Sequence, residues 1–484
     1  MASLEPQLTA LLGPHRVLTS PDVLLAWECD GFTVHRSRPR AVVLPESTQE
    51  VQAIVRLLHA AKVPFVPRGA GTCLSGGPTA GADAVVIDLA RMRKVLHVST
   101  DDLYAVVQPG VVNLDLTTAV HHHGLHYAPD PSSQSVCTIG GNLAENSGGP
   151  HCFKYGMTQD HVLGAVVVLP DGELLHLGGP AGPRGPGEPD LLAVFCGSEG
   201  TFGIATEITV RLCRDQQGVR TLLGAFATMT AACRTVSDIV AAGLVPAALE
   251  ILDQATIRAV EASVYRAGYP EDAAAVLLVE LDGPLDVLAE EAAEVRAFFA
   301  QQGALRVEEA TDYAERKRLW KGRKGAFGAM GRLNTDLYVL DGVVPRTRLE
   351  EALAGITAIG AKHGVVMTNV FHAGDGNLHP NISFDGRDPE QTRRTVAAGR
   401  EILQLCVDLG GSISGEHGIG TEKLDHVRMM YGEDDLAVMQ RVRSVFNPSG
   451  LCNPGKVLPS RGACAEVAKW PQMVAKVLDH EAKR

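Results

Sequence analysis

Pro67-Arg68-Gly69-Ala70-Gly71-Thr72-Cys73-Leu74-Ser75-Gly76-Gly77 follows a short apolar run, Val63 to Val66, that reads as a strand. Gly69 and Gly71 let backbone N–H groups turn inward into an anion-binding concavity, and Thr72 and Ser75 add hydroxyls. The run is not a Walker loop, because no Gly-Lys-Ser/Thr follows. Nor does it fit the Rossmann fingerprint, because no matching helix opens there. Alone, such a loop is as readily a plain turn as a phosphate cradle, so the flanking sequence decides.

Upstream, residues 1 to about 37 read as a helical lead-in. Val42 to Leu44 reads as a strand, and Ser47-Thr48-Gln49-Glu50 as a capping box opening a helix with the apolar face Val51, Ile54, Val55 and Leu58. Downstream, strands are expected over Val85 to Leu89 and Tyr104 to Gln108, the second ending in Pro109-Gly110. A helix over Asn113 to His123 precedes Pro129-Asp130-Pro131. A second glycine-rich run extends from Ser135 through Thr138-Ile139-Gly140-Gly141-Asn142 and Asn146-Ser147-Gly148-Gly149, with Lys154-Tyr155-Gly156 close behind. Val162 to Leu169 reads as a strand closed by Asp171-Gly172, and Leu177 to Asp190 as an exposed loop. Gly197-Ser198-Glu199-Gly200-Thr201-Phe202-Gly203-Ile204 then leads into the alternating strand Glu207 to Leu212.

The succession PRGAGTCLSGG, VQPGV, PDPSS, TIGGNLAENSGG, YG and GSEGTFGI resembles the flavin-binding domain of the vanillyl-alcohol-oxidase type of FAD oxidoreductase, over about residues 38 to 215. Each piece is weak, but six in the right order are specific. The resemblance implies that the first loop wraps the pyrophosphate and that the later runs lie along the adenosine and flavin. Carried over position by position, the implied contacts are Arg68, Gly69, Ala70, Gly71, Thr72, Ser75, Pro109, Gly110, Asp130, Thr138, Gly141, Asn142, Asn146, Gly148, Gly149, Glu199, Gly203 and Ile204. Some relatives bond flavin covalently through a histidine in the first loop. None stands here, so non-covalent FAD is expected.

Beyond residue 216 the pattern changes to repeated strand–helix–strand units. The first is Arg220 to Phe226, Thr230 to Ala241 and Ala247 to Leu252. The second is Val276 to Leu281, Leu285 to Ala300 and Leu305 to Glu308, and the third is Leu337 to Val344, Leu349 to His363 and Val365 to Phe371. Such halves suggest an antiparallel, ferredoxin-like sheet backed by helices.

The third unit runs into Phe371-His372-Ala373-Gly374-Asp375-Gly376-Asn377-Leu378-His379-Pro380. Asp-Gly is a strong two-residue hairpin signal, and if Asp375 and Gly376 fill the turn, His372 and His379 face each other across it, with Cβ atoms about 5 Å apart. Two imidazoles so placed can share one metal ion, although a stacked pair is the commoner fate of two hairpin histidines. Gly415-Glu416-His417-Gly418 changes the balance, because two His and one Glu form a divalent-metal set with open positions. Neighbours on an extended chain point opposite ways, so Glu416 and His417 are expected to do different jobs, one as third ligand and the other as a proton-accepting base. Zinc and manganese suit this set equally.

Leu319-Trp320-Lys321-Gly322-Arg323-Lys324 reads equally as amphipathic surface or as the source of a carboxylate-binding arginine. The FHAGDGNLHP, SGEHGIG and FNPSGLCNPGK stretches resemble the FAD-linked 2-hydroxyacid oxidases and dehydrogenases, the group of the glycolate oxidase catalytic subunit and the D-lactate dehydrogenases. That resemblance implies Arg323 on the substrate carboxylate, His417 as base, D stereochemistry, and a return of the C-terminal segment, with Asn453, to the cofactor. The lysine that some relatives carry two positions before the Asp of the next strand is absent, Val339 standing there before Asp341, which favours a smaller or less charged substrate tail.

Whole-chain properties set outer bounds. The 484 residues suffice for two or three domains. A net charge of −12 without a long Lys/Arg run argues against a nucleic-acid partner. No apolar stretch reaches the ~18 residues of a membrane span, and the N-terminus lacks a secretory pattern. Ten scattered cysteines without a Cys-x-x-Cys pair suit reduced thiols in the cytoplasm and leave onward electron transfer to partner subunits carrying flavin or iron–sulfur clusters. Docking at a membrane would then run through those partners, and homo-oligomerisation is left open.

The expected fold class is α+β. A two-subdomain FAD domain (38–215) follows the lead-in (1–37) and precedes a ferredoxin-like substrate or cap domain (216–410). A helical C-terminal segment (411–460) and a tail (461–484) complete the chain. The expected reaction is FAD-dependent, metal-assisted oxidation of a small D-2-hydroxy acid. Two alternatives remain: a non-catalytic flavin-carrying electron-transfer subunit, which would need no chelating trio, and an aryl or alkylphenol oxidase on the same flavin domain.

Overall fold

The computed structural model describes residues 4–179, 187 and 189–459; the tail expected at 461–484 and much of the 177–190 loop lie outside the described residues. The chain divides into two units, the first comprising 4–149, 156–215 and 416–459, the second 150–155 and 216–415.

The first unit holds two main sheets. One has four strands in the order Val17–Leu18, Ala41–Val43, Val85–Asp88, Phe65–Arg68, and its last three strands run parallel. The lead-in is therefore not wholly helical: after the helix Leu4–Leu12, Val17 and Leu18 pair antiparallel with Val43 and Val42. The helix Thr48–Ala61 buries Val51, Ile54, Val55 and Leu58 as its spacing predicts. Only half of its capping box forms. Ser47 Oγ accepts from Glu50 N at 3.2 Å, while the Glu50 carboxylate takes Glu46 N and the Arg16 guanidinium instead of reaching back to Ser47. The other sheet has five antiparallel strands, in the order Val95–Ser99, Tyr104–Val107, Ile204–Arg211, Val162–Val168, Leu174–Gly178.

The C-terminal residues complete the first of these sheets' cores. Cys452, fully buried, bridges Phe65 in parallel, and Asn453 Nδ2 donates to Gly77 O and Glu199 O.

The second unit is built on one seven-stranded sheet, antiparallel throughout, in the order Arg306–Glu309, Gly218–Phe226, Ala275–Gly283, Ala248–Asp253, Val366–His372, Pro380–Phe384, Asp336–Val339. The helices Met229–Ala241, Leu285–Gln301 and Leu349–His363 follow the sequence pattern closely. Among the elements that went unread are the helix Gln254–Glu261, the strand Pro380–Phe384 and the N-terminal part of the helix Pro389–Asp408. Residues 150–155 are fastened to this sheet. His151 Nε2 lies 3.1 Å from a Glu280 carboxylate oxygen, Tyr155 Oη donates to Asp282 at 2.5 Å, and Lys154 pairs with Asp282. No helix among the described residues is long and apolar enough to cross a membrane.

Candidate functional site

In the first unit, the strand Phe65–Arg68 delivers the opening loop as expected. Arg68 is buried, donates Nη2 to Cys29 O at 2.9 Å, and packs its guanidinium where a Cβ at Gly71 would lie, only 2.2 Å from Nη2. Gly71 has φ +69°, a left-handed backbone conformation that favours glycine. Arg68 Nη1, Ser198 Oγ and Asn453 Oδ1 are buried and have no hydrogen-bond partner among the described residues. Buried polar groups are normally satisfied, so such atoms fit a polar ligand that completes their bonding, and FAD is such a ligand.

Other expected cofactor residues also have roles within the chain. A Cβ at Gly110, Gly149 or Gly203 would lie 2.3, 2.6 or 2.8 Å from the carbonyl oxygens of Leu89, Asp130 and Val168. Thr138 Oγ1 caps the helix Ile139–Glu145 through Gly141 N, and Asn146, at φ +53°, ends it and accepts from Gln159 N. Asn142 is buried on that helix, and Ile204 opens a central strand.

Ser75 and Glu199 hold the His417 loop. Ser75 Oγ donates to His417 O at 3.0 Å, and its carbonyl accepts from Thr421 N and Glu422 N. The Glu199 carboxylate accepts from Ile419 N and Gly420 N, both at 2.7 Å. A Cβ at Gly418 would lie 2.7 Å from both Glu145 Oε2 and Glu199 Oε1, so a second carboxylate stands beside the first. Burial, and then the charge of Glu199, push the Glu145 carboxyl well above its ordinary range.

In the second unit, His372 ends one strand and His379 immediately precedes the next. The two-residue turn expected at Asp375-Gly376 does not form. The register pairs Asn369 with Pro380 and His372 with Asn377, leaving Ala373 to Gly376 as a four-residue turn. The Asp375 side chain accepts from Asn377 N at 3.0 Å and Gly376 sits at φ +80°, so the second arm starts at Asn377 as expected while the first ends at His372, two positions earlier. Because the slip equals one full side-chain period, both histidines keep a common face as diagonal neighbours, with ring centroids 5.0 Å apart and nearly perpendicular.

Glu416 follows Gly415, the last residue of this unit, and His372, His379 and Glu416 each offer a ligand atom within 4.8 Å of one another. Two buried imidazoles and one carboxylate so disposed suit a zinc or manganese ion.

Arg323 is not surface: it is 1% exposed at the end of the helix Tyr313–Lys324. Its Nε lies 2.5 Å from Glu250 Oε2, and Glu250 Oε1 lies 2.6 Å from His372 Nδ1. Glu250 is wholly buried and sits opposite His372 in the strand register. Burial works to raise its carboxyl, but the Arg323 guanidinium and then His372 hold it below the usual carboxylate range. Arg323 Nη2 has no hydrogen-bond partner among the described residues, which fits an arginine whose far edge receives an anion.

Sequence reasoning missed Glu250 and Asp341. Asp341 is fully buried and accepts from Ser414 Oγ at 2.9 Å and Gly415 N at 3.0 Å, fixing the residues just before Glu416. In both cases the available signal was a carboxylate inside an apolar run, ALEIL and YVLDGVV.

The chain is similar to known proteins over most of its length. Residues 216–457 match the family described as FAD linked oxidases, C-terminal domain, and residues 39–178 match the family described as FAD binding domain. The chain is 45% identical to the glycolate oxidase subunit GlcD of Escherichia coli, over 93% of this chain and 90% of that one. It is 37% identical to the subunit of the same name in Bacillus subtilis (94% and 96% covered) and 32% identical to a D-lactate dehydrogenase of Anaerostipes hadrus (92% and 95%). In fold it is similar to p-cresol methylhydroxylase with substrate bound, at TM-score 0.80 and 18% identity (94% and 96% covered). A 4-ethylphenol oxidase from Gulosibacter chungangensis gives TM-score 0.78 at 20% identity (95% and 97%).

Proposed function

Since the chain belongs to the FAD-linked oxidase family, we propose that it oxidises a small D-2-hydroxy acid, of the glycolate or D-lactate kind, to the 2-oxo acid. The observation that carries this reading is the convergence of His372, His379 and Glu416 beside an arginine with an unsatisfied buried edge. The names of the more similar relatives, glycolate oxidase subunit and D-lactate dehydrogenase, support the same substrate class.

FAD, held non-covalently by the first unit, supplies the acceptor for the hydride that leaves the substrate carbon. A divalent ion on the His–His–Glu set would acidify the substrate hydroxyl. The side chains of the chain supply the remaining functions. Arg323 fixes the carboxylate through its guanidinium edge, which sets the orientation of the neighbouring carbon. His417 takes the hydroxyl proton on a ring nitrogen, a role suited to imidazole's unperturbed pKa of about 6.5. Ser75 and Glu199 hold the backbone that carries His417. With Val339 where some relatives carry lysine, a second substrate carboxylate would find no partner at that position, which supports a monocarboxylate. Companion subunits that carry the electrons onward, in the cytoplasm or at a membrane face, fit the word subunit in the relatives' names.

The test is anaerobic bleaching of the bound flavin by glycolate and D-lactate, with metal content measured on the same sample. His372→Ala is expected to retain FAD, to bind metal more weakly and to lose turnover; full activity in that variant would remove the metal from the reaction. His417→Ala is expected to retain metal and FAD but slow flavin reduction by at least ~100-fold, and an unchanged rate would rule it out as the base.

A further inference from the structure

We infer that Glu250 is a positioning residue that locks the metal-binding histidine and the carboxylate-binding arginine to one another. The inference rests on the proposed roles of His372 and Arg323.

Glu250 is an anomaly in its strand. Ala248 to Leu252 are all buried, and Glu250 alone among them is charged, with no exposed surface. A carboxylate is placed there at a desolvation cost, so it is expected to be matched on every side. Its two oxygens are divided between two partners: Oε1 to His372 Nδ1 at 2.6 Å and Oε2 to Arg323 Nε at 2.5 Å. A carboxylate only accepts, so the His372 Nδ1 facing it carries the hydrogen, and in the neutral ring Nε2 is the nitrogen able to ligate a cation. In the same way the Nε–H of Arg323 is taken, which fixes the guanidinium plane and leaves the Nη edge to receive an anion. Cross-strand register pairs Glu250 directly with His372, so the link is set by backbone pairing and not by a flexible loop.

One buried side chain thus sets two things at once: which imidazole nitrogen is offered, and how far and at what angle the arginine fork stands from it. A 2-hydroxy acid presents its hydroxyl and carboxylate on adjacent carbons, so a fixed spacing between cation and fork is what such a ligand requires.

The experiment uses the full-length, FAD-loaded protein and two variants. Glu250→Gln keeps size but can accept at only one of the two contacts, while Glu250→Asp keeps the charge and withdraws it by one methylene. Metal affinity is read by competition with a chelator, using zinc and manganese, and anion affinity by calorimetric titration with oxalate, a non-oxidisable stand-in for a 2-hydroxy carboxylate. Both variants are expected to bind metal about 10- to 100-fold more weakly and oxalate about tenfold more weakly, with FAD content unchanged. In a His372→Ala background, adding Glu250→Gln should change metal affinity no further, because Glu250 acts through that ring.

Wild-type affinities in Glu250→Asp, or a full additional loss in the double variant, would overturn the positioning role while leaving the proposed reaction standing. A wild-type protein that binds neither metal nor oxalate would overturn both. Should Glu250→Gln not fold, Glu250→Asp, which retains the ion pair's charges, decides alone.

Discussion

At the level of single residues, the proposed chemistry depends on how Arg323 divides its donors. One side of the guanidinium is committed to Glu250, and the buried Nη2 is not satisfied by any described residue. Lysine at 323 could keep an ion pair with Glu250 but not offer a planar fork as well. Arg323→Lys is therefore expected to raise KM for the 2-hydroxy acid about tenfold or more while metal content stays at the wild-type level; an unchanged KM would move carboxylate binding to another residue. His372, His379 and Glu416, which the fold brings together, could be singled out in the sequence because histidine, glutamate and glycine in a short stretch carry a chemical signature, whereas Arg323 was singled out through the family resemblance. Glu250 was not, because its meaning lies in what faces it across a strand pair, and its own neighbours, leucine and isoleucine, disclose only burial.

At the level of elements, residues 341–344 form a rail with a segment that leads to candidate metal ligands bonded along each side. Val344 N donates to Gly376 O and Leu378 N to Gly342 O on the hairpin side, while Val343 exchanges hydrogen bonds with Ser412 on the other. Gly411 presses so closely on this rail that an added Cβ would sit 1.7 Å from Val343 O. Gly411→Ala is accordingly expected to shift the 411–416 segment, weakening zinc binding by at least ~10-fold with FAD content intact. Metal affinity equal to wild type would show that the segment can relax without moving Glu416. The hairpin shows the limit of element reading: the Asp-Gly signal located the turn correctly but gave its length wrongly, because Asp375 bonds Asn377 N and widens the loop to four residues. The helix Pro389–Asp408 was under-read because its first half, Thr392-Arg393-Arg394-Thr395, is polar. The Asp388 cap followed by Pro389 was the available start signal.

For the whole molecule, the apolar pattern of the repeated units led to the sheet and its helices, whereas strand order was not legible, since it follows from packing among distant segments. The first unit also buries charge, and this couples its stability to pH. Burial pushes the Asp30 carboxyl from 3.8 up to about 6, against the pull of the Phe32 and Gly76 N–H groups. The folded state thus holds this proton more tightly than the unfolded chain. The stabilisation is complete below about pH 4 and is lost as pH rises through about 6, a difference on the order of 3 kcal/mol. Asp30→Asn cannot ionise and keeps an acceptor for one of the two N–H groups. Its urea midpoint should fall less steeply than that of wild type between pH 4 and 6, and parallel curves would assign the slope to other carboxyls.

The bridge from Phe65 to Cys452, with Asn453 reaching back to Gly77 and Glu199, has a bearing on biosynthesis. The strand Phe65–Arg68 cannot complete its packing until residues 452 and 453 have been translated, so the nascent FAD-binding half must wait, incomplete, while the second unit is made. A premature stop anywhere before residue 452 would leave that strand without its last packing partner and expose the chain to quality control, so shortened products would be cleared and would not persist as weakly active enzyme.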